Sequence, residues 1–286
     1  MDALIWLRKS LSPHLDRFRL RRLARNVYRS LLRLRYGADG LATTRQNGRT
    51  WKLHYEVALR GELQEFDTIR WLQKVVKPGD CVIDVGANVG QMTLEAAHLV
   101  GSGGKVVAIE PAPGNLKLMR AHVAANGFSD RVEIIEAACA FDNEGDVVLH
   151  IYGDRTDCVG SGHTTREHPI ATEKSVSNIR VPKVSIDGLC ADHNLTPRVI
   201  KIDVEGAEIE VVRGAISTLR TFRPRVRIGF HPFAFADASE ATWELRELLA
   251  GCGYETPEPV VGGSYELREY EATYSPDTAI RIVAQN

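Results

Sequence analysis

Short apolar segments alternate with helical segments through most of the chain after Cys81. The apolar segments have the length of buried strands, and the segments between them repeat their apolar residues with helical spacing. Such alternation is typical of βαβ units and predicts an α/β fold around a mainly parallel sheet. The predicted strands are 81–85, 105–110, 132–135, 198–204 and 225–230, the predicted helices are 91–100, 114–126, 207–220 and 240–250, and the closing strands are 266–274 and 278–283.

Residues 1–36 differ in charge from the rest of the chain. They hold ten Lys or Arg and two acidic residues, about +8, whereas the remainder carries about −9. Apolar residues recur every three or four positions, which predicts an amphipathic helical extension interrupted near Pro13. We expect this extension to pack on the domain or on a neighbouring subunit, or to lie on anionic lipid. No nucleic-acid partner is expected, because the acidic remainder would repel phosphates.

Neither membrane-spanning nor secretory segments are predicted. No stretch approaches the roughly 20 apolar residues of a transmembrane helix, and the N-terminus lacks the apolar block of a signal peptide. The five cysteines have no CxxC spacing, so no zinc site or disulfide framework is expected, and no metal ligands are assigned. We therefore expect a cytoplasmic protein, which would be peripheral at the membrane in the case that residues 1–36 lie on anionic lipid.

The run DVGANVG at residues 84–90 combines a strand end, a glycine turn and a helix start. Glycine permits the tight turn and lets backbone amides approach a ligand. Only three residues separate Gly86 from Gly90, unlike the dinucleotide fingerprint G-x-G-x-x-G. Asp84 disfavours a pyrophosphate but suits a ligand with positive charge, and S-adenosylmethionine carries an ammonium and a sulfonium. Asp84, Gly86, Asn88 and Gly90 are therefore predicted to bind this cofactor.

Glu110 ends the next predicted strand. An acid at this position accepts hydrogen bonds from ribose hydroxyls and would repel the 2′-phosphate of NADP. NAD enzymes use the same device, so Glu110 alone does not choose the cofactor. Ala138, shortly after the strand at 132–135, completes the cofactor-binding candidates.

A second acidic group lies in the run KIDVEGAE at residues 201–208. Ligands of doubly wound sheets bind beyond the carboxyl ends of the strands, so Asp203 and Glu205 could hold the cofactor, bind a metal or take a proton. Glu208 is interpreted as a first-turn acid that favours the helix dipole. His231 follows the next strand at the same edge, and histidine can act as a general base near neutral pH. Asp203, Glu205 and His231 are the catalytic candidates.

Together these motifs resemble the FkbM family of methyltransferases. The resemblance covers roughly residues 62–255, and the residues that carry it are 84–90, 108–111, 184–189, 201–208 and 214–215. It implies a Rossmann-like class I methyltransferase fold with seven strands, the last antiparallel. It also implies S-adenosylmethionine bound by the Gly86–Gly90 turn, with Glu110 on the ribose.

Family members mostly O-methylate sugars, polyketides or similar hydroxylated metabolites, and the resemblance implies such an acceptor here. One position departs from the family. Members often have a Glu two residues before the histidine, whereas Gly229 stands here. Any catalytic or metal role of that Glu is therefore not carried over.

The predicted organisation is a helical extension at 1–36, a polar linker at 37–50 and a methyltransferase domain at 50–286, with its cofactor core at about 78–231. Residues 153–178 break the alternation and are predicted to form a substrate lid. The predicted function is O-methylation of a hydroxyl on a sugar, glycan or other hydroxylated metabolite. The alternatives are an NAD-dependent oxidoreductase and a non-catalytic, membrane-recruited cofactor-binding protein.

Overall fold

The structure, a computed structural model, divides into two compact units, Met1–Phe66 and Asp67–Asn286. Most of the predicted helical extension at 1–36 and the predicted strand at 278–283 lie outside the described residues. The described residues are 31, 34–37, 40–58, 66–152, 162–163, 175–231, 234–255, 260–262 and 267–274.

A β-hairpin lies in the first unit, where strand β1 (Leu41–Gln46) pairs antiparallel with strand β2 (Arg49–His54). The turn residues Asn47 and Gly48 both have positive φ, 52° and 78°. Two-residue hairpin turns favour this conformation, and an Asn-Gly pair adopts it readily. The prediction of a polar linker at 37–50 is wrong, because the Asn-Gly turn lets the flanking residues pair as strands.

The other elements follow in chain order. The helices are α1 (Tyr55–Ala58), α2 (Phe66–Val75), α3 (Gln91–Val100), α4 (Pro113–Ala125), α5 (Ile186–Asp192), α6 (Glu208–Arg213), α7 (Ile216–Phe222) and α8 (Ala238–Gly251). The strands are β3 (Cys81–Val85), β4 (Lys105–Ile109), β5 (Val132–Ile135), β6 (Ala138–Cys139), β7 (Asp146–Tyr152), β8 (Gly162–His163), β9 (Ser175–Val184), β10 (Val199–Ile202), β11 (Arg225–Phe230), β12 (Tyr254–Glu255), β13 (Val260–Gly262) and β14 (Leu267–Tyr274).

Eight of the described strands form the main sheet. Its path is β12-β14-β11-β10-β3-β4-β5, and β13 also pairs with β14. Strands β11, β10, β3, β4 and β5 are parallel, whereas β14 runs antiparallel to β11. The predicted Rossmann-like α/β fold, with a mainly parallel sheet and an antiparallel closing strand, is confirmed.

Helices cover both faces of this sheet, as strand β3 illustrates. Successive side chains of a strand point to opposite faces. Ile83 and Val85 are fully buried in a core that also contains apolar residues of α5 to α8. Asp84, between them, faces α3, where the Thr93 hydroxyl donates a hydrogen bond to its carboxylate. Burial on both faces explains why the parallel strands are almost continuously apolar.

A second sheet, β6-β9-β7-β8, is inserted in the chain between β5 and β10. Leu149, Val181 and Ala138 of this sheet pack together with Ala112, which follows β4 of the main sheet. The predicted lid at 153–178 falls largely outside the described residues. Its described parts are β8 and the first residues of β9, which are strand.

The predicted helix at 207–220 is wrong in one respect, because two helices, α6 and α7, occupy this stretch. They separate at Gly214, where an added Cβ would lie 2.2 Å from the carbonyl oxygen of Ala140. The backbone of another segment therefore passes too close for a side chain at this point. Asp187 then accepts hydrogen bonds from the backbone amides of Ser217 and Thr218 at the start of α7.

Within the described part of the chain, none of the helices has the length and apolar character needed to cross a membrane.

Candidate active site

A solvent-open cleft, with about 580 Å³ of empty space that includes open solvent, lies at the carboxyl ends of β3, β4 and β10. One part of its wall is apolar and includes Ile109, Pro111, Ala138, Cys139 and Leu149. The acidic lining residues are Glu110, Asp203 and Glu205, and no Lys or Arg is found among the described residues that line the cleft.

Gly86 lines the cleft and has a φ of 72°. An added Cβ would lie 1.8 Å from the carbonyl oxygen of Asp203. The close approach of two backbone segments therefore requires glycine here, whether or not a ligand also approaches this turn. Gly90 has a φ of 86°, and an added Cβ there would lie 2.7 Å from Cγ of Met119. Gly90 thus shapes the packing of α3 on α4 and does not line the cleft.

Glu110 is buried beside the cleft with its carboxylate held by three donors. Oε2 accepts from the backbone amide of Asn88 at 2.9 Å. Oε1 accepts from the backbone amide of Ala112 at 2.9 Å and from Nδ2 of Asn115 at 3.2 Å. Burial raises the pKa of Glu110, and these hydrogen bonds oppose the shift. Two predicted cofactor residues, Asn88 and Glu110, are therefore linked, and the glycine turn fixes the orientation of the carboxylate.

Asp84 lies beneath the cleft and is only 1% exposed. Oδ2 accepts from the Thr93 hydroxyl at 2.6 Å, and Oδ1 lies 3.4 Å from Nζ of Lys201. Lys201 also donates to the carbonyl oxygen of Gly86 at 3.0 Å. The charge of Asp84 is thus balanced inside the protein, and Asp84 is not among the residues that line the cleft. Sequence reasoning gave Lys201 no role, although a lysine within the apolar run VIKI was a signal.

Asp203 lies where β10 ends, with its side chain 29% exposed. Its Oδ2 is 3.8 Å from Nζ of Lys201. A Cβ added at Gly229 would lie 3.3 Å from the carboxyl carbon of Asp203. The glycine that departs from the family pattern therefore lies so close to this carboxylate that a side chain there would crowd it.

Glu205 lines the cleft with a left-handed backbone, at a φ of 52°. This conformation is unfavourable for residues other than glycine and is enriched at functional sites. Burial raises the pKa of Glu205 to about 7; the neighbouring His231 opposes the shift, and the surrounding carboxylates add to it. Glu205 is therefore suited to exchange a proton near neutral pH.

His231 is held between two acids. Its Nδ1 is 2.8 Å from Oε1 of Glu208, and its Nε2 is 3.8 Å from Oδ1 of Asp203. Burial alone would lower the pKa of His231, but the hydrogen bond and charge of Glu208, together with Asp203 and Glu205, raise it to about 9. His231 is therefore an imidazolium at neutral pH.

Glu208 is a second residue of the candidate site to which the sequence assigned no role in catalysis or binding. It is fully buried and accepts hydrogen bonds from the backbone amide of Gly206 as well as contacting His231. Its interpretation as a helix-dipole residue is incomplete. The sequence signal was weak, since an acid in the first turn of a helix is ordinary.

The structure thus brings the three catalytic candidates together and places Gly86, Asn88, Glu110 and Ala138 around the same cleft. Among the described residues, no group of three or more His, Cys, Asp or Glu has an arrangement that could hold a metal ion.

Comparison with known proteins identifies the family. The model of the methyltransferase FkbM domain matches residues 84–256, more than half of the chain. The chain belongs to this family. The resemblance predicted from the motifs is confirmed, and the match includes the glycine turn and all three catalytic candidates.

Individual relatives of this FkbM-domain protein are distant. It is 28% identical over 162 residues to the 31-O-demethyl-FK506 methyltransferase FkbM of Streptomyces tacrolimicus, covering 49% of this chain and 60% of that protein. It is 33% identical over 84 residues to the ubiquinone/menaquinone biosynthesis C-methyltransferase UbiE of Teredinibacter turnerae, covering 28% of this chain and 34% of that protein. The chain therefore spans less than two thirds of the length of these relatives.

Solved structures with a related arrangement include the methyltransferase FkbM of Methylobacillus flagellatus. That structure has a TM-score of 0.43 and 14% identity, covering 71% of this chain and 50% of the other. A SAM-dependent O-methyltransferase of Thermotoga maritima has a TM-score of 0.44 and 15% identity, covering 82% and 77% of the two chains.

Proposed function

We propose that this protein transfers a methyl group from S-adenosylmethionine to a hydroxyl of a sugar, glycan or other hydroxylated small molecule. The charge of the cleft carries the proposal. Its described lining holds three carboxylates and no Lys or Arg, so it favours a cationic ligand and repels the phosphates of NAD or nucleic acid. Membership of the FkbM family supports the same reaction class.

The residues present fit this cofactor. Glu110, held by three donors, would accept from the ribose hydroxyls. The apolar wall that includes Ile109, Ala138 and Leu149 suits a flat adenine ring. When bound, S-adenosylmethionine supplies an electrophilic methyl group on a sulfonium. The protein's own task is then to position an acceptor hydroxyl and to take its proton.

Two side chains compete for the role of general base, and their proton affinities favour Glu205. A base must be unprotonated at working pH, and the ideal pKa lies close to that pH. The pKa of His231 is raised to about 9, so its imidazole already carries the proton at neutral pH. Glu205, with a pKa raised to about 7, is available to accept one. We assign Glu205 as the base and His231 as a charged donor that orients the acceptor oxygen.

Asp203 completes the arrangement. Its carboxylate lies between the ammonium of Lys201 and the imidazolium of His231, at 3.8 Å from each. A carboxylate in this position can accept hydrogen bonds from an acceptor polyol.

Calorimetric titration with S-adenosylhomocysteine and, separately, with NAD tests the cofactor. We expect binding of S-adenosylhomocysteine and none of NAD. Binding of NAD alone would overturn the proposal. Methyl transfer from labelled cofactor to a panel of sugars and other polyols then tests the acceptor class, and transfer only to carbon or nitrogen acceptors would contradict O-methylation.

Variants test the assignment of the base. Glu205→Gln should lower kcat by roughly 10²- to 10⁴-fold, the usual contribution of a general base, while binding of S-adenosylhomocysteine is retained. Glu144→Gln, at an exposed position away from the cleft, is the matched control and should be fully active. Full activity in Glu205→Gln would remove the assignment of Glu205 as the base, and full activity in His231→Ala would remove the orienting role of His231.

A further inference from the structure

Glu208 is a fully buried carboxylate, with 0% of the residue exposed. Burying a carboxylate is costly unless hydrogen bonds and opposite charge compensate it. Glu208 occupies the first position of α6, directly behind the loop that carries Glu205. Its carboxylate contacts two different parts of the candidate site, the backbone of Gly206 and the ring of His231.

The first contact holds the loop. The backbone amide of Gly206 donates to Oε1 and Oε2 of Glu208 at 3.0 and 3.2 Å. Glu205 and Gly206 have φ values of 52° and 112°, so the chain reverses through two left-handed residues. Such a conformation at a glutamate persists only where surrounding contacts hold it. The hydrogen bond from Gly206 is such a contact, because it fixes the peptide that follows Glu205.

The second contact orients His231. Oε1 of Glu208 accepts from Nδ1 of His231 at 2.8 Å. This hydrogen bond sets the plane of the imidazole ring and places Nε2 on the side of Asp203, 3.8 Å from its carboxylate. A hydrogen bond donated by Nδ1–H to a carboxylate often fixes the ring orientation of a functional histidine.

We infer that Glu208 is a positioning residue that assembles the site, holding the backbone of Glu205 and the ring of His231 with one carboxylate. The inference rests on the proposed function only for the catalytic use of Glu205 and His231. The positioning itself is a property of the protein without substrate.

The charged groups that face His231 define what the variant should do. They are Glu208 from α6 and Asp203 and Glu205 from the segment after β10. Glu208→Gln keeps the size of the side chain, and its amide oxygen can still accept from Gly206. It removes the negative charge, and of the described charged groups that face the ring, Asp203 and Glu205 remain to favour the imidazolium. Glu210→Gln, on the same helix, makes the same chemical change at an exposed position that pairs with Arg213.

NMR titration of protein labelled at histidine carbons is the decisive experiment, with the His231 signal assigned from a His231→Gln sample. We expect a His231 midpoint near 9 in the unaltered protein and in Glu210→Gln. In Glu208→Gln the midpoint should fall by about one pH unit or more, and exchange of the Gly206 amide should become faster. A midpoint that is the same in Glu208→Gln as in the unaltered protein would overturn the inference.

If Glu208→Gln does not fold, the unaltered protein and Glu208→Asp keep the test decisive. A midpoint near the ordinary histidine value in the unaltered protein would contradict a charged contact with Glu208. Glu208→Asp retains the charge at a shorter reach, so its midpoint should stay above that ordinary value. An ordinary midpoint in Glu208→Asp would also count against the inference.

The enzymatic readout separates this inference from the proposed function. If both hold, Glu208→Gln lowers kcat more than it raises KM, and the alkaline limb of its pH profile shifts with the His231 midpoint. If no methyl transfer is found for any acceptor, the proposed function fails, while the titration still decides the role of Glu208.

Discussion

The ammonium group of Lys201 lies 3.4 Å from Oδ1 of Asp84, and both residues are almost completely buried. They occupy the same register position on the neighbouring strands β10 and β3. Lys201 also donates to the carbonyl oxygen of Gly86, so the pair ties the glycine turn to the strand that carries Asp203. A charge pair in this place connects the candidate cofactor residues of the cleft with its candidate catalytic residues.

Breaking this pair should destabilise the fold. Lys201→Met removes the cation beside the buried carboxylate of Asp84, which typically costs about 3–5 kcal/mol. The double variant Asp84→Asn with Lys201→Met removes both charges, and the amide oxygen introduced at position 84 could still accept from Thr93. Urea unfolding should therefore show a large loss for the single variant and a partial recovery for the double one. Equal free energies of unfolding for the two variants would show that the pair is not coupled.

Gly86 should be far less tolerant of alanine than Gly79. Both have positive φ, 72° and 89°, so both variants carry the left-handed strain of roughly 1–2 kcal/mol. Only at Gly86 would the new Cβ also collide with the Asp203 carbonyl, at 1.8 Å, whereas no heavy atom lies within 4 Å at Gly79. Thermal unfolding of both variants measures the difference. Similar melting temperatures would refute the close approach.

Glu110→Ala should weaken binding of S-adenosylhomocysteine, with little effect on kcat for methyl transfer from S-adenosylmethionine. A hydrogen bond to a charged group contributes roughly 1.5–3 kcal/mol, so we expect about a ten- to hundredfold rise in Kd. The variant also removes the acceptor for the Asn88 and Ala112 amides, which should loosen the glycine turn. Calorimetry with Glu144→Gln as control measures the effect, and an unchanged Kd would remove Glu110 from the cofactor site.

The pH dependence of kcat/KM should be bell-shaped. Glu205 must be ionised to accept a proton, so activity should rise as pH increases through about 7. His231 must be protonated to donate, so activity should fall as pH increases through about 9. The two limbs belong to a coupled group of acids and a histidine rather than to isolated residues. A profile that rises through pH 9 without a fall would instead favour neutral His231 as the base.

Much of the fold could be predicted because its signals are local. The structure has the strand at 81–85 and the helix at 91–100 with the predicted bounds. The glycine turn between them sets the end of the strand and the start of the helix. The two-helix break at Gly214 could not be predicted in this way. It depends on the carbonyl of Ala140, which belongs to a distant part of the chain, and nothing in the local pattern reports that approach.

The same distinction between local signals and contacts of distant segments applies to the candidate site. The sequence by itself determined the parallel sheet and the presence of Glu110, Asp203, Glu205 and His231 at its carboxyl edge, because apolar periodicity and strand direction are properties of short segments. Only the tertiary structure decided which charges are neutralised and which face the cleft. Lys201 turns Asp84 into an internal partner, and Glu208 raises the pKa of His231, which leaves Glu205 as the proposed base. The physical reason is that burial and ion pairing depend on groups brought together from distant parts of the chain, and these two effects set the pKa of a side chain.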